Sequence, residues 1–438
     1  MSIIGLLFPQ LITFQKLNYF YDLGLILKNL NDIEFIKIQN NFEKCIYFVY
    51  KIITPEGNNL ISSHILMFAQ SVILIISLIT FYRYFNKFTS LILGINFIFW
   101  SNLTNDFHYE HLVIFFFTIF YIIRYKHNSY ISYLFLIPIV FVKDIYLITI
   151  ITIVIIDLFE TKSFLNINKV FGIIFGIFFL IFILISGEQI LVTINTVLQR
   201  ISFDLIIKKF FVLLIISSSF LFINLWNLKA FLIFAPYVLF ILITDNPSNL
   251  SIFSHHSSFL VIPAVYYLYV ERDKLSKNAK KIAVIINVIW LLLFSYFPFN
   301  YNFFLNDHSK IYYKNFLTKK NIINDNIFYL EENFEDIEEI DIYVMNNYGY
   351  FLSNKKLNFL NIGDNMFNEN IGKILILDTT SSIFYDDKLC NDDNYFCSFG
   401  NKEKFYDLLN NRLIKRNWRK ERNTINSIIY SKLNNKYE

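Results

Sequence analysis

The sequence predicts a mainly α-helical, polytopic membrane protein of about ten or eleven spans, followed by a small C-terminal extracytoplasmic α/β domain. Of the 438 residues, 55% are hydrophobic, and the mean hydropathy is +0.45. A soluble protein of this length is rarely so apolar. Apolar runs occupy much of residues 1–299, whereas residues 300–438 are polar and rich in Asn, Asp, Glu and Lys. These two regions are the predicted domains.

Eleven apolar stretches are predicted to form the membrane-embedded helices. Several are shorter than the roughly 20 residues that a 30 Å hydrocarbon core requires. Lys143 and Asp144 separate two of them, which are either two tilted spans or a re-entrant pair. The first stretch lacks the basic start and small-residue cleavage site of a signal peptide, so a short span or anchor is expected. The stretches are 1–15, 60–82, 88–103, 109–124, 130–142, 144–158, 168–187, 204–224, 229–243, 257–270 and 281–299.

The loops predict the orientation, because Lys and Arg are concentrated in alternate connections. The positive-inside rule assigns the basic set to the cytoplasm. The protein is then a multi-pass protein of the cell membrane, and residues 16–59 and 300–438 lie on its extracytoplasmic side. The basic set contains Arg83, Lys87, Arg124, Lys126, Lys162, Lys169, Lys229 and residues 272–281.

The polar C-terminal region has the pattern of a small α/β domain. Residues 341–345 and 374–378 are predicted to be short buried strands, and 402–412 and 413–422 are predicted to be helical. Cys390 and Cys397 are seven residues apart, without His partners at zinc spacing. Outside the cell a disulfide between them is allowed, and two free thiols remain the alternative.

Composition also limits the partners. The net charge is +4, and no basic arm interleaved with aromatic residues occurs, so nucleic acid is not an expected partner. No Gly-rich phosphate loop and no Gly-x-Ser-x-Gly motif occur in the sequence. A nucleotide cofactor is therefore not expected.

The densest candidate site is Asp106, His108, Glu110 and His111, at the edge of the 109–124 stretch. The two histidines are three residues apart, so a helix would present them on one face. This group is compatible with a divalent metal, or with hydrogen bonds to a phosphate or a sugar. An interfacial polar belt without ligand is the alternative.

Three further groups of ionisable residues lie at the edges of apolar stretches: Asp22, Lys143 with Asp144, and His255 with His256. Charge at the margin of a span is costly and commonly marks a site. Asp22 is either a general base or, as the alternative, a helix cap or a solvated acid. Lys143 either pairs with a phosphate or is neutralised by Asp144, and the histidines bind phosphate, a carboxylate or nothing. The predicted threading places all of these groups on the outer side, which indicates one outward pocket.

The ordered set of motifs resembles a family of prokaryotic predicted integral membrane proteins of unknown function. The motifs cover nearly the whole chain, with Tyr109 where the family commonly has proline. They are Tyr21–Gly24, the Gln70-bearing span, Phe107–His111, Lys143–Asp144, Pro236, Ser254–Ser257, Pro263, and the tail segments 344–353 and 374–378.

That family looks like the GT-C class of glycosyltransferases, which implies a GT-C-like multi-span core and an outer C-terminal domain. The implied activity is transfer of a sugar from a polyprenyl-phosphate donor to a glycan, lipid or protein acceptor at the outer membrane face. By this resemblance Asp22 is the catalytic base, and His108, Glu110, Lys143 and His256 hold the acceptor or the lipid phosphate. The alternatives are a polytopic transporter or lipid flippase without glycosyl transfer, and a receptor-like protein whose outer domain binds a partner.

Overall fold

The computed structural model shows a mainly helical protein with one small sheet, and 81% of the described residues are helical. That part of the predicted fold class is confirmed. The described residues are 26–27, 30, 41–55, 59–104, 108–142, 146–160, 206–243, 257–294, 316–334, 341–344, 357–359, 373–378, 410–411, 413–415, 417–424 and 427–432.

The described helices coincide with predicted apolar stretches, except α1 and α13, which lie in segments where no such stretch was predicted. They are α1 Asn41–Ile53, α2 Asn59–Tyr84, α3 Lys87–Ile95, α4 Phe97–Thr104, α5 Glu110–Lys126, a 3-10 helix Tyr130–Leu136, α6 Ile137–Val142, α7 Tyr146–Glu160, α8 Ile206–Ser219, α9 Ile223–Trp226, α10 Leu228–Ile243, α11 Ser258–Val270, α12 Lys277–Phe294 and α13 Phe316–Asn333. The predicted stretches 1–15 and 168–187 lie outside the described residues.

The chain divides into two compact units. The helical unit contains the described residues of 41–49 and 67–294, and the sheet unit contains those of 26–30, 50–55, 59–66 and 316–432. The predicted boundary between residues 299 and 300 stays a prediction.

The predicted stretch 88–103 is two helices, because Asn96 interrupts it. Asn96 has an extended backbone (φ −70°, ψ 129°), and its side-chain oxygen accepts the N–H of Ile98 at 3.0 Å, as an N-cap of α4. Its amide nitrogen donates to Asn287 Oδ1 on α12 at 3.2 Å. Asn287 in turn donates to the Ser219 carbonyl at the end of α8, at 2.7 Å. A buried polar chain therefore links three parts of the helical unit.

Apolar side chains cover the outside of the helical unit as well as its interior. On α12, Asn287 is fully buried, whereas Ile285 is 57% exposed. Five more apolar side chains on the same helix are exposed: Ile282, Val288, Ile289, Leu292 and Leu293. An amphipathic helix of a soluble protein has the reverse arrangement, with polar residues outward.

One described helical segment, Ile61–Tyr84, is long and apolar enough to cross a membrane, with 24 residues and a mean hydropathy of 2.2. Five shorter apolar helices have 10–17 residues: Tyr130–Val140, Tyr146–Asp157, Lys209–Ser219, Leu228–Leu242 and Ser258–Val270.

The sheet unit contains α13 and a five-stranded sheet of order β2-β1-β3-β5-β4. The central strand β3 lies parallel to β1 and antiparallel to β5, and β1 is parallel to β2. The predicted strands at 341–345 and 374–378 are confirmed as β1 and β3. The strands are β1 Asp341–Val344, β2 Leu357–Phe359, β3 Lys373–Asp378, β4 Arg419–Asn423 and β5 Ser427–Lys432.

The helix predicted over 413–422 is wrong beyond residue 415. Residues 413–415 are helical, Asn417 has a left-handed backbone (φ 62°), and Arg419–Asn423 forms β4. The charged sequence of β4 favours a helix, but β4 is the edge strand beside the apolar β5. Edge strands commonly carry charges, so tertiary pairing overrides local preference here.

Candidate functional site

The turn His108–His111, which leads into α5, is the part of the predicted site that the structure describes. The backbone N–H of His108 donates to Gln70 Oε1 on α2 at 3.2 Å. The ring nitrogen Nδ1 of His111 lies 2.5 Å from the carbonyl oxygen of His108. Because a carbonyl only accepts, Nδ1 carries the proton in this contact, and Nε2 is the acceptor nitrogen of the neutral ring.

Glu110 and His111 are the first two residues of α5, and both are buried, at 3% and 0% exposure. The carboxylate therefore lies in the first helical turn, where the positive end of the helix dipole stabilises negative charge. The residue before it, Tyr109, makes no side-chain capping bond. Its ring packs edge-on against Tyr47 of α1, with centroids 5.3 Å apart. An acid and an imidazole are thus held side by side in a desolvated position.

Tyr146, the first described residue of α7, faces the same turn. It is fully buried, and its hydroxyl lies close enough to Glu110 and to Tyr237 of α10 to be affected by their charge, without a hydrogen bond to either. The Tyr146 ring lies 5.0 Å from that of Phe259 on α11. Tyr237 also packs on Phe259, at 5.8 Å, and hydrogen-bonds to Ser257. Residues from α5, α7, α10 and α11 therefore meet at one place.

Helices α5 and α11 run in the same direction and begin at the same end of the helical unit. The rings of Tyr121 and Tyr266 lie 4.4 Å apart, and further along both helices Lys126 Nζ donates to Tyr269 Oη at 2.7 Å. At the beginning of α11, Ser258 exchanges two hydrogen bonds with Asn102 of α4, at 2.7 and 3.0 Å. The positive ends of two helix dipoles thus lie near the His108–His111 turn.

The predicted site residues divide into two groups. The structure places His108, Glu110 and His111 in one turn, where His108 precedes α5 and meets His111 Nδ1 through its backbone carbonyl rather than sharing a helix face with it, and their role as a site stays a prediction. The others lie outside the described residues, so their place in the pocket stays a prediction: Asp22, Asp106, Lys143, Asp144, His255 and His256.

The sequence did not indicate Gln70 and Tyr146 as site residues. Gln70 is a single amide in an apolar span, which is a weak signal for a buried hydrogen bond. Tyr146 is one of 29 tyrosines, so nothing in the sequence distinguishes it. Only the packing of the helices places both residues near the His108–His111 turn.

The described residues contain no group of three or more His, Cys, Asp or Glu side chains that could hold a metal ion. The predicted metal-compatible group also contained Asp106, which lies outside the described residues. Metal binding at this turn stays a prediction.

Comparisons with known proteins add no assignment. The chain matches no protein-family model, and neither a curated protein nor a solved structure matches it significantly.

Proposed function

We propose that this protein is a multi-pass membrane glycosyltransferase of the GT-C type. It transfers a sugar from a polyprenyl-phosphate donor to an acceptor at the outer membrane face. The observation that carries the proposal is a buried cluster of acid, imidazole, amide and phenol groups inside helices whose outward faces are apolar.

The outward faces support a membrane location. Phe159 is 86% exposed and Phe210 is 64% exposed. Large exposed apolar surfaces mark sites of contact with protein or membrane. Here they extend over several helices, with further exposed side chains at Ile207, Phe211, Leu225, Leu228, Phe231 and Leu239. Surrounding lipid removes all of this surface from water at once, whereas one protein partner would cover a single face.

The charges at the opposite end of α5 support the orientation. Lys126 contacts Tyr269, and Arg272 lies over the same ring at 4.6 Å. Lys274, Lys277 and Lys281 are exposed nearby in the chain. Tyrosines are common at both membrane interfaces, and an excess of Lys and Arg at one end of a bundle is typical of the cytoplasmic side. The His108–His111 turn, at the other end of α5, is then near the outer leaflet.

The proposed reaction needs a base and a charged environment for the leaving group. An acceptor oxygen forms a bond to the anomeric carbon while the bond from that carbon to the phosphate oxygen breaks, and polyprenyl phosphate leaves with the electron pair. The acceptor proton passes to a carboxylate, for which Asp22 is the proposed residue. Lys143 and a histidine offset the phosphate charge. Glu110 and His111 hold the sugar or the acceptor.

A reconstituted assay tests the proposal. The purified chain is placed in liposomes with polyprenyl-phosphate sugars labelled in the sugar, together with a lipid extract as acceptor. We expect labelled product from the wild type, and at least a tenfold slower transfer by Glu110→Gln. The control Ser132→Ala, on the 3-10 helix that follows α5, should leave the rate unchanged.

Absence of labelled product with every donor would contradict the proposal. Movement of intact donor between leaflets without cleavage would instead support the transporter or flippase alternative. Full activity of Asp22→Asn would remove Asp22 as the base.

A further inference from the structure

Two buried hydrogen-bond donors near the His108–His111 turn have no partner in the described part of the chain. The Tyr146 hydroxyl is one, on a side chain that is fully buried. The Gln70 amide nitrogen is the other, on a side chain that is 1% exposed. A buried donor without an acceptor is unfavourable, and most such groups in native proteins are satisfied. Two of them beside one candidate site indicate a ligand that supplies acceptors.

Both donors adjoin the same turn. The Gln70 side chain is fixed by its own oxygen, which accepts the N–H of His108 at 3.2 Å. Its nitrogen is bonded to the same carbon as that oxygen and therefore lies beside the turn as well. The Tyr146 ring packs on Phe259 at the start of α11, with centroids 5.0 Å apart, and its hydroxyl lies within electrostatic range of Glu110, two residues after His108, without a hydrogen bond to it. The two groups come from different helices, α2 and α7, so their convergence is a property of the tertiary fold.

The chemistry of the neighbours favours an uncharged ligand rich in hydroxyl groups. The two donors are a neutral amide and a neutral phenol, and neither offers a full positive charge to an anion. The carboxylate of Glu110 lies at the amino end of α5 and already balances the positive end of that helix. A second negative charge in this desolvated place would be repelled by it. A hydroxyl group, by contrast, accepts from the amide or phenol and donates to the carboxylate.

We infer that Gln70 and Tyr146, together with Glu110, bind the hydroxyl groups of a sugar ring. The inference rests on the proposed function for the choice of a sugar, and it deepens that function by assigning the glycosyl part of a substrate to this turn. The phosphate of a lipid-linked substrate then lies elsewhere. Tyr146 and Gln70 are binding residues in this account, and the reacting proton is not assigned to either.

Binding measured without turnover tests the inference. The full-length protein in lipid nanodiscs is titrated with methyl glycosides of glucose, galactose, mannose and N-acetylglucosamine, and binding is followed by saturation-transfer NMR. We expect at least one glycoside to bind the wild type. Tyr146→Phe should weaken that binding about three- to tenfold, the range for one hydrogen bond. Gln70→Glu, which keeps the acceptor for His108 but removes the N–H donors, should weaken it as well.

The matched control is Ser132→Ala. Ser132 is also fully buried, and its hydroxyl likewise lacks a partner in the described part of the chain, but it lies on the 3-10 helix after the carboxyl end of α5. Its removal should leave glycoside binding within twofold of the wild type. Thermal unfolding without ligand checks the fold of each variant. Because the Tyr146 hydroxyl has no partner to lose among the described residues, Tyr146→Phe should unfold no earlier than the wild type.

Three outcomes would overturn the inference: no glycoside binds the wild type, Tyr146→Phe binds as tightly as the wild type, or inorganic phosphate displaces the bound glycoside competitively. Each is distinguishable from failure of the proposed function. If sugar transfer persists in the liposome assay despite any of these results, the transferase function is supported and the sugar-binding role of the turn is wrong. If glycosides bind as expected but no sugar is transferred, the sugar-binding role is supported and the transferase function is contradicted.

Discussion

Arg124 and Asp157 form a buried ion pair, with Nε 2.7 Å from Oδ2 and side chains only 4% and 1% exposed. The pair joins α5 to α7 near their carboxyl ends, opposite the His108–His111 turn. Tyr133 donates its hydroxyl to the same carboxylate oxygen, and the Arg124 guanidinium lies over the Tyr130 ring at 4.1 Å. The ion pair therefore fixes α5 and α7 relative to each other at the ends opposite the candidate site.

Breaking this pair from one side should destabilise the helical unit strongly. Arg124→Met or Asp157→Leu leaves one buried charge without its partner, which typically costs about 3–5 kcal/mol. The double variant removes both charges and should recover most of that loss. Thermal unfolding of the four proteins in detergent micelles measures this cycle. Additive losses in the double variant would show that the two side chains do not depend on each other.

Two tyrosine-to-phenylalanine variants should differ in their effect on the free energy of unfolding. Tyr133→Phe removes a hydrogen bond to a carboxylate and should lower the free energy of unfolding by about 1.5–3 kcal/mol. Tyr146→Phe removes a hydroxyl that has no partner in the described part of the chain, so its stability should equal or exceed that of the wild type. Equal destabilisation by both would mean that Tyr146 has a structural partner.

The polar chain through Asn287 should contribute to stability although it lies among apolar helices. Asn287→Leu leaves the Asn96 amide and the Ser219 carbonyl without this partner, a loss of about 1–3 kcal/mol. Ile285→Ala on the same helix is the control, since Ile285 points outward and is 57% exposed. Its stability in micelles should change by about 0.5 kcal/mol or less, as at other surface positions. A larger effect of the control than of Asn287→Leu would contradict the assigned core.

The sheet unit should lose stability in alkali. Burial raises the pKa of the Tyr430 hydroxyl to about 12, and this hydroxyl donates to Asn410 Oδ1 at 3.0 Å. In the unfolded chain a tyrosine ionises near pH ~10. The neutral hydroxyl therefore contributes its full stability below pH ~10, and the contribution is lost as the pH rises through the folded value.

Fluorescence of Trp418, which is 3% exposed in the same unit, can follow this transition. The other three tryptophans, Trp100, Trp226 and Trp290, are replaced by Phe in the full chain. We expect the unfolding midpoint in urea to fall between pH ~10 and the folded pKa, and to fall less in Tyr430→Phe. An identical pH dependence in both would exclude Tyr430 as the cause.

The sequence predicted the helices better than their interruptions. Hydrophobic runs locate α5, α10 and α11 within a few residues, because an apolar helix needs only composition to be recognised. The break at Asn96 depends on its bond to Asn287, which is 191 residues away, and no local pattern indicates it. The charged sequence of the edge strand β4 favours a helix locally, and pairing with its neighbour β5 decides its conformation instead.

Sequence proximity accounts only for the members of the candidate site that are neighbours in the chain. His108, Glu110 and His111 lie in one turn, although His108 precedes α5 instead of lying on its face. Gln70 and Tyr146 come to that turn from other helices. Asp157 lies inside an apolar stretch, and nothing in the local sequence indicates that it pairs with Arg124. Such contacts depend on tertiary packing, which hydropathy does not encode.

The membrane location of the helical unit is the central claim, and the environment of its exposed apolar residues tests it most directly. Nitroxide labels are attached at Phe210→Cys, Ile285→Cys and, as a control in the sheet unit, Lys420→Cys, with the three native cysteines replaced by Ser. In lipid bilayers, molecular oxygen should relax the labels at 210 and 285 more strongly than a water-soluble nickel complex does. At 420 the order should be reversed. Stronger relaxation by the nickel complex at both 210 and 285 would contradict the account.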